Sequence, residues 1–363
     1  MTKTRATDLT EKNLPVSPVF IDFISRWLDK SDFSNERWSD QRSEALFNSR
    51  AGMRSKAQWR FERIMSDETA QTALENVYQG FYDLATGCSD TFDRIHKRHQ
   101  FLAVVGIPRT GGSYLTAELF SALGYDPTGV PAAIAHDGFP EAQPVSISDG
   151  KNAWTTTMLS ISEYMGLVEL FFSAGDSAEQ VYVPKKLTKA VYAGSLFNAA
   201  LGNRAEYFLT IRHPIAACIS TYEKSGGFPS DGRFKERSNI EKWIKRDLLH
   251  TGVAPGEFEE MDYFTAYSRY WEQYYISLAM SGLTTGRKRT VIPFSQRCVE
   301  DTVRLWHDRF GSGRNPTEFV SSARLDERHP QWTKRGEEAL ERVAAVWGLV
   351  GLPFPSADLA QCS

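Results

Sequence analysis

Apolar positions along the chain follow two regimes. Before residue 99 they recur at helical spacing: Phe20, Phe23, Ile24 and Trp27 make one stripe, and a longer pattern runs over 56–84. The polar stretch between them, 31–50, reads as loop. No strand-like alternation stands out, so 1–98 is expected to be a helical N-terminal extension. From residue 101 short β-prone runs take over: FLAVVG (101–106), QVYVP (180–184), EYFLTI (206–211) and RTVIPF (289–294). Continuous apolar runs of this kind mark parallel strands buried on both faces. Helical patterns over 113–125, 213–224, 238–250, 262–281, 296–310 and 336–348 lie between and after them. The alternation predicts an α/β domain over 99–363, a parallel sheet flanked by helices. Two Pro/Gly-rich stretches, 124–153 and 225–233, read as loops of the kind that cover binding sites.

Composition narrows the function classes. The 363 residues carry 42 basic and 45 acidic side chains, a net −3, which argues against a nucleic-acid partner but leaves room for a local cationic pocket. Four scattered cysteines make neither a disulfide framework nor a Cys-x-x-Cys zinc site. No apolar run reaches the ~18 residues of a membrane span, and the N-terminus lacks a signal-peptide core. The expectation is a soluble, cytoplasmic protein without a metal. His96 and His99 share basic neighbours that would repel a cation, and His213 is expected to be structural.

The candidate chemistry begins at GIPRTGGSY (106–114), between a buried strand and a helix. Such a junction aims backbone N–H groups and a helix N-terminus at one spot, which suits an anion. The spacing matches a phosphate-binding loop, G-x-x-x-x-G-K-[ST], at Gly106, Gly111 and Ser113, but Gly112 replaces the lysine. Arg109 is the nearby cation. EYFLTI then ends in Arg212, the position at which a magnesium-holding aspartate would follow a strand. Phosphoryl donors call for lysine and metal, whereas a less charged sulfuryl group can be held by cations and amides. A glycine-rich connection without a ligand is the plain alternative.

IRHPIAACISTY (211–222) repeats the strand-to-helix architecture, with Ser220 eight residues after Arg212. Arg212 would offer a fork to a phosphate and Ser220 a hydroxyl. Together the two loops resemble the cofactor signatures of sulfotransferases that use 3′-phosphoadenosine 5′-phosphosulfate (PAPS), over roughly 99–350. Pro108-Arg109-Thr110-Gly111-Gly112-Ser113-Tyr114 is similar to that family's 5′-phosphosulfate loop, commonly Pro-Lys-Ser-Gly-Thr-Thr-Trp. Gly112 departs by replacing a hydroxyl residue. Arg212 and Ser220 match the family's 3′-phosphate pair. The resemblance implies a P-loop NTPase-like three-layer fold and PAPS as donor. It also points to a late loop over the nucleotide, for which ARLDERHPQWTKRG (323–336) offers Arg324, Arg328 and Lys334; a solvated basic turn would look the same.

Acceptor activation needs a base near the donor. The family draws it from a His or Glu, and His136, Asp137 and Glu141 in AIAHDGFPEA (133–142) are candidates, His136 first. In VPKKLTK (183–189), Lys185 or Lys186 would stabilise the bridging oxygen, with Lys185 preferred. The strand register decides which faces the site. Tyr263, Tyr267, Tyr270 and Tyr274 form a stripe that reads as core more readily than as an acceptor pocket. The acceptor expected is a small alcohol, phenol or amine. A nucleotide-dependent kinase and a non-catalytic nucleotide-binding protein on the same fold are the alternatives.

Overall fold

The computed structural model describes residues 16–30, 62–142, 150–172, 180–224, 232–311, 313–319 and 330–361. The 31–50 loop, the tip of the 225–233 loop, and Arg324 and Arg328 lie outside these residues. Before the sheet come helices α1 (Pro18–Leu28), α2 (Glu68–Thr86) and α3 (Asp90–Arg98). Strands β1 (His99–Val105) and β2 (Val181–Lys186) enclose α4 (Gly112–Ala122), the short α5 (Ala132–Ala135) and α6 (Gly150–Phe172). A 3₁₀ turn (Thr188–Ala193) and α7 (Gly194–Leu201) lead to β3 (Glu206–Ile211). Next come α8 (Pro214–Lys224), α9 (Asn239–His250), α10 (Pro255–Glu260), α11 (Tyr263–Met280) and β4 (Lys288–Pro293). The helices α12 (Gln296–Phe310), α13 (Pro330–Leu349) and α14 (Ser356–Gln361) follow.

The four strands are parallel, in the order β2-β1-β3-β4. Alternate residues of β1 divide the core, because successive strand side chains point to opposite faces. Leu102 and Val104 pack with Leu115 and Leu119 of α4 and Val303 and Trp306 of α12. Phe101, Ala103 and Val105 join the larger core with α6, α8 and α11. Helices therefore cover both faces. That larger core also takes in Phe20, Phe23 and Ile24 of α1 and Val77 of α2, so the N-terminal helices share the core of the sheet.

The short helices α7, α10 and α14 are absent from the sequence pattern, and β2, α13 and α6 depart from it in ways that bear on the site and the core. β2 runs to Lys186, two residues beyond the predicted run, so both lysines are strand residues. α13 begins at Pro330, six residues before the predicted start. α6 was not predicted at all, and residues 150–153 at its start were expected to be loop. Residues 160–168 of α6 are buried without interruption. A helix enclosed on every side has no polar face to reveal its period.

The chain steps from β1 to β2 on one side, then returns past β1 to β3 and on to β4 on the other. The carboxyl ends of β1 and β3 thus flank the crevice where open parallel sheets bind ligands. Both predicted anion loops leave the sheet there.

α1 is fastened to α6 by a buried carboxylate. The Ser17 N–H and hydroxyl donate to the two oxygens of Glu163 at 2.5 and 2.6 Å. Burial raises the Glu163 carboxyl to about 7, against the lowering effect of the Ser17 bonds. A carboxyl raised on folding binds its proton more tightly in the native state. Its contribution is therefore full below its ordinary value of 4.5 and is lost as pH climbs through about 7. At about 1.4 kcal/mol per unit the loss is at most roughly 3 kcal/mol. Glu163→Gln keeps an acceptor and gives the Ser17 hydroxyl a donor. It should raise the melting temperature by a few degrees at pH 8 and change it little at pH 4.5; the same shift at both values would show that Glu163 does not titrate in this window.

Candidate functional site

The loop after β1 is shaped by close approach. A side chain at Gly106 would put Cβ 1.9 Å from the Thr210 hydroxyl, and one at Gly111, whose φ is +78°, would meet the Phe294 ring at 2.6 Å. Gly111 then caps α4 in the left-handed region open to glycine. Arg109 also has a positive φ, +72°. Thr110 is buried, and its hydroxyl donates to the Ile107 carbonyl at 2.7 Å and meets the Thr210 hydroxyl at 2.8 Å. Its side chain holds the loop to β3 and is not presented to a ligand.

The two predicted anion loops touch. Arg109 Nε donates to Ser220 Oγ at 3.0 Å, and Arg212 Nη1 donates to the Arg109 carbonyl at 3.1 Å. Arg212 lies over the Phe294 ring, 4.5 Å from its centroid, and its own carbonyl accepts from Trp271 Nε1 at 2.9 Å. Arg109 is exposed and pairs with no carboxylate among the described residues. Ser220, Arg212 and Arg109 thus form one cationic cluster at the switch between β1 and β3. His213 is turned inward: its Nδ1 accepts from the Ile215 N–H, and burial lowers the ring to about 4.

The strand register settles the lysines. Lys185 pairs with Ala103 and Lys186 with Val104 of β1. Lys186 therefore takes the α4 face, and a Cβ on Gly112 would lie 2.9 Å from its Cε. The glycine that replaces the P-loop lysine makes room for a lysine arriving from β2. Lys186 Nζ pairs with Asp137 at 2.5 Å, and Thr188 N and Oγ1 donate to the same carboxylate at 2.8 and 2.7 Å. Lys185, the preferred candidate on sequence, points elsewhere. It is buried over the Tyr164 ring, and its Nζ donates to the Ala133 and His136 carbonyls at 2.9 and 2.8 Å. Its amine is engaged in holding the His136 main chain, because its strand position faces the other layer.

His136 stands beside the loop as expected: its Nε2 lies 2.8 Å from Ser113 Oγ. Burial, then the Lys186 ammonium, holds the imidazole down at about 3, against the opposing charge of Asp137. The ring is neutral, and in the Nδ1–H tautomer its Nε2 accepts the Ser113 proton. Burial alone would raise Asp137, but Lys186, His136 and the Thr188 bonds outweigh it and hold the carboxyl at about 2. Asp137 is thus an ionised clamp. Glu141 stands 3.8 Å from Arg246.

Farther out, Tyr114 donates to the Thr317 carbonyl at 2.8 Å and packs on Phe319, and burial raises its hydroxyl to about 12. It tethers the segment leading to the late loop. Lys334 is exposed on α13, while Trp332 is buried and stacked on Phe264 at 4.7 Å. Tyr263, Tyr267, Tyr270 and Tyr274 are core residues. His96 Nε2 and His99 Nδ1 each meet a main-chain carbonyl. Phe294 and Thr188 are not legible as site residues in the sequence, which names Lys186 only as the alternative to Lys185.

No protein-family model, curated protein or solved structure matches this chain. Among the described residues, no helix is long and apolar enough to cross a membrane.

The His136 environment can be read by NMR. In the free protein its imidazole should stay neutral from pH 8 down to pH 5. Lys186→Met removes the ammonium and releases Asp137, and should move the midpoint upward. A midpoint near 6.5 in both proteins would mean that the ring faces solvent.

Proposed function

We propose that this protein is a sulfotransferase that moves a sulfuryl group from PAPS to a hydroxyl or amine of a small-molecule acceptor, on a P-loop NTPase-like three-layer fold. The observation that carries this reading is the Arg109–Ser220–Arg212 contact at the β1/β3 switch. It joins a helix N-terminus to a buried arginine fork, the donors that a nucleotide with anionic groups at both ends of its ribose requires. The donor set fits the group: guanidinium, hydroxyl, backbone amides and the Lys186 amine all favour anionic oxygens. Arg212 and Ser220 would hold the 3′-phosphate, with Arg109 shared between the two ends. The 106–113 loop, Ser113 and Lys186 would hold the 5′ side. Bound there, PAPS supplies a sulfur electrophile on a phosphate leaving group. Lys186 offsets charge on the bridging oxygen, and His136 takes the acceptor's proton at Nε2. The late-loop residues Arg328 and Lys334 would close over the nucleotide. The free cysteines Cys88, Cys218 and Cys298 suit a cytoplasmic protein.

The Ser113–His136 hydrogen bond favours one other reading, a serine nucleophile with a histidine base. Asp137 speaks against it, because its oxygens are committed to Lys186 and Thr188. Labelling of Ser113 by a fluorophosphonate would support that alternative.

Adenosine 3′,5′-bisphosphate should raise the melting temperature without divalent metal, since a ligand bound to the native state stabilises it. ATP with magnesium should do less. Arg212→Ala should weaken the bisphosphate roughly ten- to a hundredfold, the worth of a charged hydrogen bond, and 5′-AMP little. Arg109→Ala should weaken both. Equal stabilisation of the wild type by the bisphosphate, ATP and 5′-AMP would refute the assignment.

A further inference from the structure

Beyond the nucleotide crevice, the turn after β2 holds an ammonium group that rests on an aromatic ring and, among the described residues, has no hydrogen-bond acceptor. Lys189 follows Thr188, the residue that holds Asp137, and its Nζ lies 4.2 Å from the centroid of the Trp243 ring on α9. The side chain is partly buried, yet among the described residues it makes no hydrogen bond or ion pair. Three carboxylates act on its charge from nearby, and each has other partners. Asp137 pairs with Lys186, Asp247 accepts from the Tyr192 hydroxyl at 2.7 Å and from Arg246 at 3.2 Å, and Glu141 lies 3.8 Å from Arg246. An ammonium has three donors, and the face of an indole ring satisfies its charge but none of its hydrogen bonds.

We propose that Lys189 anchors a carboxylate carried by the acceptor, so that the acceptor is a hydroxy or amino acid and not a neutral alcohol or phenol. The identity of the neighbouring site rests on the sulfotransferase reading. Placement assigns the group to the acceptor. Lys189 follows β2, Arg212 follows β3, and β1 lies between them. Lys189 is thus on the far side of the phosphate loop from the bisphosphate donors and adjoins the His136–Asp137 turn. Charge selects the ligand. With Asp137 paired to Lys186, the Lys189 ammonium and the Arg246 guanidinium stand against the carboxylates of Asp247 and Glu141, a balance that suits a single negative charge better than a phosphate dianion.

The cation itself titrates. Burial, then Arg246, lowers the Lys189 ammonium to about 8, against the opposing pull of Asp247, Glu141 and Asp137. Carboxylate binding should be full at pH 7 and fall as pH rises through 8. The test uses the full chain saturated with adenosine 3′,5′-bisphosphate and two probes, 3-(4-hydroxyphenyl)propionate and its neutral amide, compared by calorimetry. The acid should bind roughly tenfold tighter than the amide at pH 7, the scale of one charged hydrogen bond, and the gap should shrink at pH 9. Lys189→Met should abolish the gap at both values, and Lys189→Arg should preserve it at pH 9. Both variants should keep the bisphosphate thermal shift, which shows that fold and nucleotide site are intact. Failure of the acid to bind, equal binding of acid and amide, or a gap that survives Lys189→Met would overturn the proposal. If the bisphosphate gives no shift with the wild type, the sulfotransferase reading fails, and the probes are then compared without nucleotide to judge Lys189 alone.

Discussion

The buried ion pair between Lys186 and Asp137 is the constraint on which the site is built. Both side chains are almost wholly withdrawn from water, at 9% and 7% exposure. Desolvating two charges is costly, and the pair is sustained because Thr188 adds two further hydrogen bonds to the carboxylate. Removing one partner of such a pair typically costs ~3–5 kcal/mol, since the other is left charged and buried. The pair ties edge strand β2 to the turn after α5 and brings His136 against Ser113. It also packs against a residue far away in sequence: the Lys186 stem lies in the space that a Cβ on Gly112 would crowd. A glycine in the phosphate loop, a lysine at a strand end and an aspartate beside a histidine are one construction.

The aromatic stripe of α11 supports the second half of the site from below. Trp271 donates to the Arg212 carbonyl, and Tyr275 donates to the Thr210 carbonyl at 2.8 Å. Both carbonyls lie where β3 ends and its ladder partners run out. The indole and phenol satisfy groups that burial would otherwise leave unpaired, at a cost of several kcal/mol in apolar surroundings. These rings therefore act on the anion site through the backbone that carries it, not as walls of an acceptor pocket. Tyr274 does the same for β2, donating to the Thr188 carbonyl at 2.6 Å.

The parts of this site that were legible in sequence are those written in local patterns. Buried strands followed by Gly-rich or Pro-opened helices show themselves as apolar runs with punctuation, which is why β1, β3 and the loops after them could be placed. Arg212 and Ser220 could be paired because both sit within one strand–helix unit. What stayed hidden depends on register and on burial. Lys185 and Lys186 are adjacent and chemically alike, and only the pairing of β2 with β1 separates the one over Gly112 from the one over Tyr164. The Arg109–Ser220 contact joins residues 111 apart in sequence. α6 gave no helical signal because its middle is buried all round, and the partnership of Ser17 with Glu163 spans 146 residues.

The electrostatics of the site point to an order of events. Without an anion, His136 is held neutral at about 3 by burial and by Lys186, which leaves it a weak base near neutral pH. The second of these responds to charge in the crevice. Negative oxygens near Lys186 would counter its ammonium, and a nearby anion raises the pKa of an imidazole by favouring its charged form. If His136 is the base of the proposed transfer, its strength would then depend on an anion in the loop beside Ser113. Burial similarly pushes the Lys185 amine well below the ordinary lysine range, and what positive charge it keeps acts on His136 in the same direction as Lys186. A nucleotide bound at Arg109, Arg212 and Lys186 would strengthen the base before an acceptor is deprotonated. On the proposed reading, donor before acceptor is the order that these charges favour.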